Sequence, residues 1–187
     1  MLATMIATAL LALAPVPQEA PPPARPAPVL ADGSHDFDFE FGAWDAQIRR
    51  RLRPLTGSNE WVEYRGSSVV RKVWDGRANL GELDVSGSAG RILGSSYRLY
   101  DPAAHEWRIH WASSNDGQLG PAMIGSFAGG RGEFYDAETL GGRAIYVRFI
   151  FTNVSAGTSS FRIEQAFSAD GGKSWETNWI SDFKKRP

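Results

Sequence analysis

The chain of 187 residues contains no cysteine, which excludes disulfides, thiol nucleophiles, cysteine-ligated zinc and lipid attachment through cysteine. It has no basic excess either. Its 20 Lys and Arg stand against 21 Asp and Glu, so the footprint of a nucleic-acid binder is missing. Glycine is absent as far as Ala31; all 20 glycines and all 7 tryptophans lie beyond it. There is no Gly-x-Ser-x-Gly and no phosphate loop. Long amphipathic helical patterns are scarce. What is present divides into two regimes: a glycine-free N-terminus, and a Gly- and aromatic-rich remainder long enough for a hydrophobic core.

Met1 to Ala14 is an uncharged apolar run, too short to span a bilayer comfortably. Ala12-Leu13-Ala14 supplies the small-x-small pattern of a signal-peptidase site, with Gln18-Glu19-Ala20 as an alternative. No Lys or Arg precedes the run. Of the 11 prolines, 7 fall between Pro15 and Pro28, which predicts an extended spacer. The expected organisation is a signal peptide over 1–14 (to 20 at the alternative site), a Pro-rich linker over 15–35 and a folded domain over 36–187. A periplasmic or secreted protein follows, with no stable membrane insertion of the mature form.

Beyond Asp36, alternation dominates. Glu106-Trp107-Arg108-Ile109-His110-Trp111 places three apolar side chains on one face, and 143–153, 159–168 and 174–184 are β-branched, aromatic or alternating. Further strands are expected near 36–53, 59–73, 78–86, 91–100, 105–113, 120–128 and 131–138. Turn signals punctuate them. Asp101-Pro102 opens one hairpin. Ser168-Ala169-Asp170-Gly171-Gly172-Lys173-Ser174-Trp175 resembles the Asp-box hairpin, in which the Asp satisfies turn amides and the Trp packs beneath. The pattern predicts an all-β, antiparallel up-and-down barrel of about eight to ten strands.

Gly42-Ala43-Trp44 in the first long strand resembles the Gly-x-Trp of the calycin superfamily, the lipocalins and fatty-acid-binding proteins. The resemblance implies that Trp44 plugs the closed barrel end under a basic residue of the last strand, with Lys184, Lys185 and Arg186 as candidates. More of the chain, from Asp36 to Arg186, is similar to a bacterial family of calycin-like proteins of unknown function. The shared strings include Asp36-Phe-Asp-Phe, Tyr97-Arg-Leu-Tyr-Asp-Pro, Trp107-x-Ile-x-Trp111 and Trp175-Glu-x-Asn-Trp179. That resemblance carries a fold and no established reaction.

Candidate chemistry is sparse. His35, His105 and His110 lack metal-ligand spacing, so no metal and no cofactor are expected. Asp36, Asp38 and Glu40 alternate with Phe37, Phe39 and Phe41, which predicts a solvent-facing acidic side of a strand. Arg49-Arg50-Arg51-Leu52-Arg53 reads as a charged strand end. Arg148 and Glu164 sit in apolar runs; alternation leaves open whether they face the barrel interior. If inward, Arg148 suits a ligand carboxylate.

The leading expectation is an exported, monomeric or dimeric barrel that binds a small hydrophobic or amphipathic molecule. Arg148 would anchor an acidic group, with Tyr146, Trp107, Trp111, Trp179 and Glu164 around it. A second is an isomerase, cyclase or hydrolase on the same barrel, using His110, Glu164, Arg148 and Tyr100. A third is a structural module whose barrel is filled by side chains.

Overall fold

A computed structural model describes residues 32–187. The signal sequence and nearly all of the linker expected from the sequence lie outside the described residues. Ten antiparallel strands follow one another: β1 (Gly42–Arg51), β2 (Trp61–Val73), β3 (Ala78–Gly87), β4 (Gly90–Asp101), β5 (Glu106–Ser113), β6 (Met123–Ala128), β7 (Arg131–Leu140), β8 (Arg143–Thr152), β9 (Ser160–Ser168) and β10 (Glu176–Lys185). Each pairs with its sequence neighbours, and β1 pairs with β10 from Trp44↔Lys185 to Arg50↔Trp179, so the sheet closes into an up-and-down barrel with no free edge.

Alternation drives the closure. Trp44, Ala46 and Ile48 of β1 are buried while Asp45, Gln47 and Arg49 are exposed. On β5, Trp107 and Ile109 are buried; on β8, Ile145, Val147 and Phe151 are. The β5–β6 seam is the weakest, with Trp107↔Gly125, Arg108↔Ile124 and Ile109↔Met123 as its paired residues. Beyond Ile109 the two strands part, and residues 114–122 loop out along the rim, held by an isolated bridge at Ala112↔Leu119.

One end of the barrel is closed by the chain that enters it. Asp36–Phe41 does not extend β1 as its alternation predicts. The amides of Asp36, Asp38 and Glu40 donate to the carbonyls three residues earlier, and Asp38–Glu40 is a 3₁₀ turn. The reason is aromatic packing. Phe37 meets Trp107 and Phe127 edge-on at 4.9 Å each, and Phe39 meets Phe161 at 5.3 Å. A tight turn directs both rings into the barrel, where a strand on its wall would place them less deeply. It also carries Glu40 inward, so the predicted acidic face does not form: Glu40 is buried, while Asp36 and Asp38 remain nearer the surface.

Trp44 lies just above this plug, fully buried. Its Nε1 donates to the Glu40 carbonyl at 2.7 Å, and Lys185 Nζ sits 5.2 Å from its ring centroid. Elsewhere, Asp101 Oδ1 accepts from the Ala103 and Ala104 amides in the first predicted hairpin. In the Asp-box-like hairpin, Asp170 accepts from the Ser168 and Ser174 hydroxyls and the Ser174 amide. These bonds hold its carboxyl far below the usual range. Gly171 and Gly172 take positive φ there, and Trp175 Nε1 donates to the Gly172 carbonyl.

Candidate functional site

The aromatic plug fills only the closed half of the barrel. Above it lies a cavity of about 330 Å³ that opens at the opposite end. Its walls combine apolar side chains, among them Leu83, Ile92, Ile109, Met123 and Trp179, with polar ones such as Ser68, Ser96 and Gln165. Its floor is polar. Arg98, the inward residue of β4, sends Nη1 to Glu40 Oε2 at 2.7 Å and Nη2 to Glu40 Oε1 at 3.1 Å. Nη1 also donates to Asn79 Oδ1 at 3.1 Å, and the guanidinium stacks 4.8 Å over Phe37. Both partners are largely buried, Arg98 at 5% and Glu40 at 2% exposure. Burial pushes the Glu40 carboxyl up, and the charge and hydrogen bonds of Arg98 oppose this.

The floor's hydrogen-bonding capacity is unevenly used. Both Glu40 oxygens and Asn79 Oδ1 are occupied. Arg98 Nε and Asn79 Nδ2 are buried donors with no partner. Buried polar atoms are rarely left so. At the mouth, Trp111 borders the cavity, half-exposed, and so does the exposed Arg50. A wider cleft on the rim shares Ile109, Trp111, Met123 and Gln165 with the cavity and is bordered by Tyr146 and Glu138.

Burial raises the Glu138 carboxyl, and the negative charge of Asp136 raises it further. Stability from such a group is present below the unfolded-state carboxyl range and is lost as pH rises through the elevated value. Glu138→Gln removes that loss. The variant is expected to melt with the parent at about pH 3.5 and about 1–2 °C above it at pH 7, the effect being small because the group is partly screened by water. Thermal unfolding across that range checks it.

The structure separates the residues that the sequence grouped into one site. Trp111 and Trp179 line the cavity. Trp107 is fully buried in the core, its Nε1 donating to the Gly33 carbonyl at 2.8 Å. Arg148 and Tyr146 project from the outer face of β8: Arg148 pairs with exposed Tyr135 and lies 4.6 Å over the Trp175 ring, and Tyr146 is 49% exposed. Glu164 is on the outer face of β9, 3.7 Å from Arg162. The inward face of β8 belongs to Ile145, Val147, Phe149 and Phe151, so its alternation resolves opposite to the cavity placement of Arg148.

The proposed acid–base set is likewise dispersed. His110 faces outward and donates through Nδ1 to the Gly120 carbonyl at 3.0 Å. The Tyr100 hydroxyl, at the closed end, accepts from the Gly33 amide at 3.0 Å. Among the described residues, no group of three or more His, Asp or Glu is placed to hold a metal ion. The arginine run also divides: Arg51 binds the Thr177 and Ser58 carbonyls, Arg53 pairs with Glu60, and Arg50 alone borders the cavity.

The inward position of Arg98 has no local signature in the sequence. In Ser96-Tyr97-Arg98-Leu99-Tyr100 the polar side chains occupy one parity, which looks like a solvent face. A charged residue between apolar neighbours was the available signal, and it applies to Arg98 as well as to Arg148.

Fold and site together define a closed ten-strand antiparallel barrel with a plugged base and an open, polar-floored lumen. No protein-family model and no curated sequence matches the chain. Among solved structures it is similar to the crystal structure of Rv2717c from M. tuberculosis, with TM-score 0.54 and 11% identity over 85% of this chain and 100% of the other. At that identity the likeness is one of fold.

Proposed function

We propose that this barrel binds a small apolar or amphipathic molecule in its lumen. The observation that carries the reading is a lumen, open at one end, whose apolar side chains stand above the buried Arg98–Glu40 pair. Where the ligand carries an acid, the partner is Arg50 at the mouth rather than Arg148, which lies outside the barrel. The Trp44–Lys185 contact supports the calycin likeness, and the apolar run at residues 1–14 supports export.

Native mass spectrometry of the protein purified from its own host tests the reading. The expected result is additional small-molecule mass that is lost on denaturation. A bare polypeptide that also fails to bind any ten-carbon probe would overturn it, and the filled-barrel reading would take its place. The same spectrum gives the mature N-terminus.

A further inference from the structure

We propose that the lumen selects a ligand whose buried end is an uncharged hydrogen-bond acceptor, such as a ketone, aldehyde or ester carbonyl, and discriminates against a carboxylate at that end. The inference rests on the lumen-binding reading above and adds the head-group chemistry.

The first argument is an inventory of donors and acceptors. Arg98 has five N–H groups. Nη1 spends its two on Glu40 and Asn79, and Nη2 gives one to Glu40 and keeps one; Nε is buried without a partner. On the acceptor side, Glu40 and Asn79 are already engaged, and Ser181 Oγ accepts from Trp179 Nε1 at 2.7 Å. The guanidinium keeps an N–H for a ligand, whereas the buried carboxylate is committed to Arg98, so the floor favours an acceptor. A ligand ammonium would find no free carboxylate.

The second argument is charge. Glu40 already neutralises Arg98 through a two-point contact. A carboxylate entering the floor would lose its hydration, gain no net counter-charge and approach the buried Glu40 anion. A carbonyl oxygen keeps the hydrogen bond and avoids that cost. The third argument is access. Gly81 borders the cavity, and a Cβ there would lie 2.9 Å from Ser96 Oγ and 3.5 Å from Arg98 Nη2. Its missing side chain leaves the approach to the guanidinium open.

Three chain-matched probes decide the matter: 2-decanone, decanoate and decylammonium, titrated at pH 8 against tryptophan fluorescence. Trp111 and Trp179 report occupancy of the lumen. A hydrogen bond to a charged donor makes the ketone's expected advantage at least about tenfold in Kd over either ion. In Arg98→Lys, which keeps a cation opposite Glu40 and removes the guanidinium's spare donor, the preference should collapse towards unity while the probe still binds. Decanoate binding as tightly as the ketone, or a ketone preference below about threefold, would overturn the head-group inference and leave lumen binding intact. Absence of saturable binding by all three overturns both. The wild-type series decides even if Arg98→Lys does not fold.

Discussion

Glu40→Ala should lower the melting temperature by roughly 10 °C, because breaking a buried ion pair costs about 3–5 kcal/mol and a domain of this size loses about 2–4 °C per kcal/mol. The cost comes from Arg98, whose guanidinium would keep its charge in a buried site with only Asn79 Oδ1 and the Phe37 ring for company. Arg98→Met should be similarly damaging, since it strands the Glu40 carboxylate. The double variant Glu40→Leu/Arg98→Met is expected to be more stable than either single one, because no orphaned charge remains. Circular-dichroism melts of the four proteins complete a double-mutant cycle. A shift below about 2 °C for Glu40→Ala would mean that water reaches the floor freely.

Phe37→Ala is the second large effect. The ring is wholly buried and contacts the aromatic rings of Trp107, Phe127 and Phe151, so its truncation should cost about 3–5 kcal/mol. It also removes the surface under the Arg98 guanidinium. Denaturant unfolding should show the midpoint moving down. Phe41→Ala provides the control: that side chain is only partly buried and is expected to cost about 1 kcal/mol or less. Equal losses at the two positions would contradict a plug organised around Phe37.

The strands were legible because a closed barrel imposes a period of two on nearly the whole chain, and runs such as Glu106–Trp111 record it without interruption. The two hairpins were legible because Asp101 and Asp170 must satisfy turn amides locally. The plug was not. Alternating Phe and acid over Asp36–Phe41 fits a strand, and only the barrel's empty base, a property of the closed sheet, makes a 3₁₀ turn the better place for Phe37 and Phe39. The lumen was half legible. Trp111 and Trp179 were identified as walls, but the polar floor joins residues 58 positions apart in sequence, Glu40 and Arg98. Their pairing depends on how far the plug enters, which no local pattern encodes. Arg148 shows the opposite failure: its apolar neighbours suggested an interior position, yet Trp175 of the next hairpin shields it from outside.

The start of β1 and the end of β10 lie side by side at the plugged base, where Trp44 pairs with Lys185 and the Arg186 amide donates to the Ala43 carbonyl. This arrangement sets how the molecule responds to force. Tension between its two ends loads the seam one rung at a time, as in opening a zipper, and never shears the whole ladder at once. The first pieces to leave are the Phe37–Glu40 turn and the rung at Trp44. A pulling machine that grips the N-terminal side therefore dismantles the floor before the walls.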